Sequence, residues 1–204
     1  VDRLDIVIGT HPHEDHIGGL LTVLSELVVD EVWDPGVVHT SQTFENYLDL
    51  IDSKGISFVE ARVGMPPLSL GGGAVLNLLH PTSPSQSNLN DASIVVRLTH
   101  GSVSFIFTGD AELRAEQEML NSGFPLRSTV LKAGHHGSST STSPDFFHAV
   151  RPQYVVISLG DGNQYRHPHK ETLDLLRGAN VDVFRTDLHG TVVMHSDGDD
   201  IRVV

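Results

Sequence analysis

One short segment constrains this chain more than any other, because it places four potential metal ligands within six residues, directly after a strand-like run from Leu4 to Gly9. The segment reads Thr10-His11-Pro12-His13-Glu14-Asp15-His16-Ile17-Gly18-Gly19. His11 and His13 are two residues apart, so their side chains share a face only if the backbone is extended. Asp15 and His16 lead into an amphipathic run and stand at a helix start. The pattern predicts a metal-dependent hydrolase with a loop site, and a weakly metal-binding polar surface loop is the alternative.

Composition narrows the chemistry further. The formal charge is −13, from 26 acidic and 13 basic residues, which argues against a broad electrostatic grip on nucleic acid. A polyanionic substrate would therefore have to be bound by a few residues at the site itself. The chain has no cysteine, so disulfides, thiolate ligands and cysteine nucleophiles are excluded, and imidazole and carboxylate remain as metal-binding groups. No apolar run approaches the roughly 18 residues that span a bilayer.

The 204 residues, 39% of them hydrophobic, predict one domain over residues 1–204. Strand-like runs are Leu4–Ile8, Ile56–Glu60, Ala74–Leu79, Ser93–Thr99, Ser102–Thr108, Thr129–Lys132, Tyr154–Ser158, Val181–Arg185, Thr191–His195 and Asp200–Val204. Helical patterns are Ile17–Val28, Thr43–Ser53, Ala111–Asn121, Pro144–Val150 and His169–Arg177. This alternation predicts α/β layers. The His100-Gly101 turn predicts a hairpin, so the sheets should be mixed. Pro81 to Asp91 is expected to be a loop.

Two further polar clusters follow strand-like runs. Asp110 ends the apolar strand before Ala111, where it either bridges metal ions or caps the next helix. His135 and His136 lie in Lys132-Ala133-Gly134-His135-His136-Gly137-Ser138. Two adjacent residues of a regular strand point to opposite sides, so one histidine should ligate a metal while the other, with Ser138, meets the substrate.

Single histidines give weaker signals. His80 ends the run from Val75 to Leu79, where it is either a metal ligand or a solvated loop residue. His167, in the Gly-rich segment after Asn163 and Tyr165, is expected to act on the substrate, whereas His169 could equally begin a helix. The remaining histidines carry no supporting context: His39, His100, His148, His189 and His195.

Taken in order, His11-x-His13-x-Asp15-His16, His80, Asp110 and His135 resemble the metallo-β-lactamase superfamily. The motifs Asn90-Asp91-Ala92-Ser93, Thr108-Gly109-Asp110, Lys132 to Ser138 and Asn163-x-Tyr165-x-His167-Pro168 are similar to the ComEC branch, the metal-hydrolase domain of a bacterial DNA-uptake channel and its free-standing relatives. The resemblance covers Leu4 to about Val193 and implies an αββα sandwich of mixed sheets. The family's strands before the His-x-His loop have no counterpart here, so the domain is expected to lack its N-terminal strands.

The resemblance implies a site with two divalent ions, zinc in the first place and manganese as the alternative. His11, His13 and His80 would hold one ion, Asp15, His16 and His135 the other, and Asp110 would bridge. Two cations roughly 4 Å apart activate a shared water, in whose chemistry Asp15 would take part. His136 or Ser138 would bind a phosphate oxygen, and His167 would stabilise the transition state or protonate the leaving oxygen.

Three functions follow from these expectations. The first is a phosphodiesterase or nuclease, with single-stranded DNA as one candidate substrate. The second is a phosphoesterase for a small or cell-wall phosphoester such as phosphocholine, and the third is a metal-stabilised accessory module without turnover. The resemblance also implies an extracytoplasmic location and attachment to a membrane channel region, although this chain contains no transmembrane segment of its own.

Overall fold

The computed structural model describes residues 1–83 and 87–204, and in them two β-sheets lie between layers of helices. The first sheet is parallel, in the order β1-β2-β3: Arg3–Ile8, Val28–Asp34 and Ser57–Glu60. The second sheet has the order β10-β9-β8-β7-β6-β5-β4. Its strands are β4 Leu68–Gly71, β5 Ala74–His80, β6 Val95–His100, β7 Val103–Phe107, β8 Val130–Lys132, β9 Tyr154–Ile157 and β10 Asp182–Arg185. A hairpin of β11 Met194–Ser196 and β12 Ile201–Val203 follows.

The helices connect these strands. They are α1 Glu14–Glu26, α2 Gln42–Lys54, α3 Leu113–Asn121, α4 Pro144–Val150, α5 Lys170–Arg177 and α6 Thr186–His189. Two short 3-10 turns, Asn90–Ala92 and Gly134–Gly137, lie in the loops before β6 and after β8. None of the helices in the described part of the chain is both long and apolar enough to cross a bilayer.

Three hydrophobic clusters hold the layers together. The apolar faces of α1 and α2, with Ile17, Leu24 and Ile51, pack on the first sheet. Trp33 of the first sheet meets Leu78 and Val96 of the second, so the two sheets pack face to face. The outer face of the second sheet is covered by the last cluster, which includes residues of α3, α4 and α5: Ala115, Met119, Phe146, Phe147, Val150 and Leu176. The order of layers is helix, sheet, sheet, helix, which confirms the predicted αββα arrangement; the second sheet is mixed, whereas the first is parallel throughout.

Most predicted elements are found within a few residues of their expected bounds, and the hairpin joining β6 and β7 is antiparallel as expected, with its turn at Gly101 and Ser102. Two strands were not predicted. β2 follows α1 almost without interruption, and the pattern had assigned Val28 to the helix, whereas α1 ends at Glu26. β4 has only four residues, three of them exposed, and is too short to give a clear strand pattern. Of the predicted loop from Pro81 to Asp91, residues 84–86 lie outside the described part of the chain, and a 3-10 turn begins at Asn90.

Candidate metal centre

The polar clusters of the sequence meet at one end of the two sheets. β7, β8 and β9 run parallel, so the loops that follow them, carrying Asp110, His135 and His136, emerge at the same edge. His11 and His13 follow β1 in the other sheet, where the Ile94 amide donates to the Thr10 carbonyl at 2.8 Å and joins the two sheets. Asp15 lies in the first turn of α1, for which His13 is the N-cap residue.

Asp110 is the centre of this arrangement and is 2% exposed. Its Oδ2 lies 3.2 Å from His16 Nε2 and 3.5 Å from His136 Nε2. The same oxygen lies 3.8 Å from His135 Nε2 and 4.0 Å from His11 Nε2. Its other oxygen, Oδ1, is buried without a hydrogen-bond partner. The alternative role as a helix cap is not observed, because α3 begins at Leu113 with Glu112 as its N-cap residue.

One group of atoms fits a divalent ion directly. The ligand atoms of Asp15, His16, Asp110 and His136 all lie within 4.8 Å of one another. Asp15 Oδ2 is 3.2 Å from His136 Nε2 and 3.6 Å from His16 Nε2, and the two nitrogens are 3.2 Å apart. A tetrahedral ion with bonds of about 2.0–2.1 Å separates neighbouring ligand atoms by about 3.3 Å. The measured separations are close to this value, so these side chains fit a metal ion.

A second pair of nitrogens lies beside this group. His11 Nε2 is 3.0 Å from His13 Nδ1, and the rings meet edge to face. The opposite nitrogen of His11, Nδ1, contacts the hydroxyls of Thr10 at 3.2 Å and Ser93 at 3.3 Å. The Ser93 hydroxyl also accepts the Asp110 amide at 3.0 Å. This shared support fixes the histidine and the carboxylate relative to each other, as outer partners of metal ligands commonly do.

The charges of the group are strongly coupled. Hydrogen bonds to Asp110 and Asp15 raise the pKa of His136 to about 10, although burial opposes them. The hydrogen bond with His136 lowers the pKa of Asp15 to about 2. Burial alone would raise the pKa of Asp110, but hydrogen bonds from His136 and His16 outweigh it and hold that pKa well below its usual range. The two carboxylates thus favour a positive charge between them.

The backbone of the His-His pair explains how both imidazoles reach the centre. His135 and His136 have φ angles of 46° and 53°, in the left-handed region, so the segment is not a regular strand. The two side chains therefore do not point to opposite sides as they would in a strand, and the division into one metal ligand and one substrate-facing histidine stays a prediction. His136 Nδ1 donates to the Ser158 carbonyl at 2.6 Å, and His135 Nδ1 donates to Glu112 Oε1 at 3.1 Å. Each ring therefore turns its Nε2 toward Asp110.

Two expected site residues lie elsewhere. His80 is buried, its Nδ1 donates to the Ser93 carbonyl at 2.9 Å and its Nε2 lies 3.4 Å from Glu118 Oε2. It therefore supports the site from behind Ser93 instead of joining the cluster. Ser138 is also buried, and its hydroxyl bonds that of Thr140 at 3.0 Å, so its expected contact with the substrate stays a prediction.

His167 stands at the mouth of the centre, with its ring centroid 5.5 Å from that of His135 and 6.3 Å from that of His136. Burial, together with the neighbouring His169, His135 and His136, lowers its pKa to about 4. A neutral imidazole at this position is a poor proton donor near neutral pH. A cleft of about 320 Å³ opens between it and the metal-binding group, lined also by His13, Asn90 and Tyr165.

Several residues that support the site gave no clear signal in the sequence. The Glu112 carboxylate accepts hydrogen bonds from His135, Asn90 and Thr140 at its Oε1. Lys132 Nζ donates to the carbonyls of Gly109 at 2.9 Å and Ala133 at 3.2 Å, which ties together the loops that carry Asp110 and His135. The place of Lys132 at the start of the His135 motif was the only signal, and Glu112 had none.

The sequence gives His39 no supporting context, but the structure places it beside the centre. Its ring centroid lies 5.9 Å from that of His13, with the two rings nearly perpendicular. His39 Nδ1 is 2.8 Å from the Ser41 hydroxyl, which caps α2. Nothing in the local sequence indicates this contact, because it depends on how the loop after β2 folds back toward the end of β1.

A buried carboxyl lies beneath the loop that carries His11 and His13. A Cβ at Gly9 would lie 2.7 Å from the Tyr47 hydroxyl, so only glycine fits there. Asp34, at the end of β2, is 1% exposed, and burial raises its pKa to about 6. The Tyr47 hydroxyl lies close enough to Asp34 to oppose this rise in pKa, but its geometry falls short of a hydrogen bond. Asp34 Oδ2 therefore has no hydrogen-bond partner.

The chain is similar to known proteins along most of its length. The metallo-beta-lactamase superfamily model matches residues 1–161. ComE operon protein 3 of Bacillus subtilis is 33% identical over 192 residues, which cover 94% of this chain and 24% of that protein. Competence protein ComA of Neisseria gonorrhoeae is 36% identical over 59% of this chain and 18% of its own length. Recombination protein 2 of Haemophilus influenzae is 27% identical over 93% of this chain. The chain thus spans about a quarter or less of these relatives, since it covers 22% of the last.

Solved structures agree with this assignment at the level of the fold. Igni18, a metallo hydrolase from Ignicoccus hospitalis, superposes with a TM-score of 0.57 at 18% identity, over 98% of this chain and 79% of that one. CmlA, a diiron β-hydroxylase from Streptomyces venezuelae, gives a TM-score of 0.58 at 15% identity, over 100% of this chain and 45% of its own. With the family model, the relatives and the His/Asp cluster in agreement, the chain belongs to the metallo-β-lactamase superfamily of metal-dependent hydrolases, and its relatives include competence proteins of the ComEC type.

Proposed function

We propose that this chain is a metal-dependent phosphodiesterase that acts on DNA. The observation that carries the proposal is the convergence of four imidazole nitrogens on one buried carboxylate oxygen of Asp110, at 3.2 to 4.0 Å. Of the relatives, one is named as a competence protein, one as a ComE operon protein and one as a recombination protein. These names favour DNA over other phosphodiesters as the substrate.

The proposed ligand set differs from the expected one at two positions. His11, His13 and Asp110 would hold one ion, and Asp15, His16, His136 and Asp110 the other, with Asp110 bridging. His136 replaces His135 because its Nε2 belongs to the compact four-atom group. His80 is left out because its Nε2 faces Glu118. With nitrogen and carboxylate donors only, zinc is the proposed metal, and manganese is the alternative.

When bound, two such ions supply a hydroxide near neutral pH and offset the charge of the attacked phosphodiester. The side chain of Asp15 is 60% exposed, so it can accept a hydrogen bond from the attacking water while it holds its place beside His136. His167 is neutral near pH 7 and would donate its N–H to a phosphate oxygen as negative charge grows there. His135, oriented by Glu112, offers its Nε2 on the same side of the cleft.

The test measures metal content and turnover in the same preparations. We expect about two equivalents of metal per chain, hydrolysis of bis-p-nitrophenyl phosphate and cleavage of single-stranded DNA. Chelation should abolish both reactions. Asp49→Asn, an exposed carboxylate of α2, is the matched control for Asp110→Asn and should behave as the unmodified chain.

Each of the other outcomes supports a different function. Full metal occupancy without turnover of any phosphodiester would make the chain a metal-stabilised accessory module. Turnover of bis-p-nitrophenyl phosphate without DNA cleavage would favour a small phosphoester, such as one of phosphocholine. Cleavage of DNA that survives removal of all metal would overturn the proposed chemistry altogether.

A further inference from the structure

A second cavity, of about 350 Å³, lies beside the cleft of the metal centre. The two spaces share Asp15, His136, Tyr165 and His167, which form the wall between them. The outer part of the second cavity is lined by backbone and small or apolar side chains, at Ser158, Leu159, Gly160 and Asn163. A group bound there would lie next to the metal centre without contacting its deeper ligands.

The shared wall is a stack of rings. The Tyr165 and His167 rings are 5.8 Å apart and inclined by 25°, and the His167 and His136 rings are 6.3 Å apart and inclined by 20°. Tyr165 ends this stack and is 65% exposed, more than any Phe, Trp or other Tyr in the described part of the chain. The stack therefore presents an open aromatic face at the mouth of the site.

The loop that carries Tyr165 is held in place by its own hydrogen bonds. Asn163 Nδ2 donates to the His167 carbonyl at 2.8 Å and to the Gly160 carbonyl at 3.1 Å, and Asn163 Oδ1 accepts the His167 amide at 2.9 Å. His169 Nε2 lies 3.3 Å from the Tyr165 carbonyl. An aromatic face fixed in this way loses little conformational entropy when a ligand binds.

We propose that this cavity binds one nucleoside next to the scissile phosphate, with its base stacked on Tyr165. This proposal rests on the proposed function and specifies which part of the DNA substrate the cavity binds. Stacking on an aromatic side chain holds a base regardless of its identity, and it needs no basic groove, which a chain of charge −13 does not offer. The lining of Leu159 and backbone groups suits the flat faces and polar edges of a base and its sugar.

The test compares substrates that share one leaving group. These are the p-nitrophenyl phosphodiesters of thymidine, through its 5′ or its 3′ oxygen, of methanol and of choline. We expect a higher kcat/KM for at least one thymidine ester than for the methyl ester. Tyr165→Ala should reduce that preference by about 5- to 100-fold, the range that loss of one stacking contact typically gives. Tyr165→Phe keeps the aromatic face and should keep the preference.

Phe124→Ala removes another exposed aromatic ring, which lines a different cavity, and should change neither the rates nor the preference. Equal kcat/KM values for the thymidine, methyl and choline esters would overturn the nucleoside site and leave the phosphodiesterase intact. A preference for the choline ester would also overturn the nucleoside site. No turnover of any ester would overturn the proposed function instead.

Calorimetric titration with thymidine 5′-monophosphate gives a readout that does not depend on turnover. The metal-loaded chain should bind the nucleotide more tightly than it binds inorganic phosphate. Tyr165→Ala should weaken nucleotide binding and leave phosphate binding as it was. Equal affinities of the unmodified chain for the nucleotide and for phosphate would contradict the proposal even if no ester is hydrolysed.

Discussion

The two halves of the proposed metal centre are built from similar side chains in different surroundings. We call His11 and His13 the buried half, and Asp15, His16 and His136 the open half. Burial lowers the pKa of His11 to about 3 and also lowers that of His13, so both are neutral near pH 7. Beside the open half, the bridging candidate Asp110 and the exposed Asp15 raise the pKa of His136 to about 10.

The proposed bridge, Asp110, would therefore join two metal sites with unlike surroundings. The buried half is already in the uncharged form that binds a metal, whereas the open half must lose the proton of His136 before that nitrogen can bind one. The open half contributes Asp15 and offsets more of the charge of an ion. The two ions should therefore differ in affinity, in pH dependence and in their response to mutation.

Asp110→Asn should have the largest effect, because Asp110 alone belongs to both halves. The change removes one negative charge and replaces one oxygen with a nitrogen that donates hydrogen bonds. We expect metal to be lost from both halves and turnover to fall to background, as elemental analysis and phosphodiester assays would show. His80→Ala, the contrasting variant, should keep its metal because His80 contacts Glu118 instead of the centre. Two full equivalents in Asp110→Asn would remove it from the bridging role.

His136→Ala should affect the open half alone. We expect one equivalent of metal to be lost, with a drop in affinity beyond the 10- to 100-fold typical of losing an outer partner of a metal site. The adjacent substitution, His135→Ala, is the matched control and should keep both ions while it slows turnover. Loss of metal in His135→Ala but not in His136→Ala would make His135 the ligand, as the family resemblance implies.

His167→Ala should leave both halves occupied and reduce kcat by roughly 10²- to 10³-fold, as loss of a hydrogen-bond donor to a developing oxyanion does. Since burial and nearby histidines lower the pKa of His167 to about 4, it is neutral and should not protonate the leaving group. The loss should then be similar for p-nitrophenolate and for alkoxide leaving groups. Recovery of the rate with p-nitrophenolate alone would identify His167 as a general acid.

The pH dependence of metal binding should separate the halves. Below pH 10 the metal in the open half competes with the proton of His136, so its affinity should fall by about tenfold for each pH unit as pH decreases. The buried half, with the pKa of His11 at about 3, should show little change between pH 8 and pH 6. Titration of metal release against pH would show two steps, and a single step would contradict the comparison.

The smallest expected effect concerns Asp34, beneath the buried half. Its pKa is raised from 3.8 to about 6, so the folded chain binds more protons than the unfolded chain in this interval, and stability falls as pH rises through it. Asp34→Asn removes this loss of stability. Its free energy of unfolding should therefore rise, relative to that of the unmodified chain, by at most about 3 kcal/mol between pH 4 and pH 7. Urea unfolding at both pH values measures the gain. A constant difference would show that Asp34 does not titrate in this range.

The sequence predicted those parts of the site that depend on local pattern. The proposed ligands after β1 and Asp110 after β7 lie at strand ends, and a strand end is visible as the end of an apolar run. The choice between His135 and His136 depends on backbone angles, which periodicity does not report. The place of His80 depends on Glu118, a residue of another element. β2 was not predicted because no Gly or Pro separates it from α1 in the sequence.

The left-handed backbone of His135 and His136 also bears on local stability. A non-glycine residue in this conformation costs about 1–2 kcal/mol, and here two follow each other between glycines. Their imidazoles hold the turn through Glu112, Ser158 and Asp110, and a metal ion would add to that restraint. The amide protons of this turn should therefore exchange with solvent faster than those of β8 beside it, and metal binding should slow that exchange selectively.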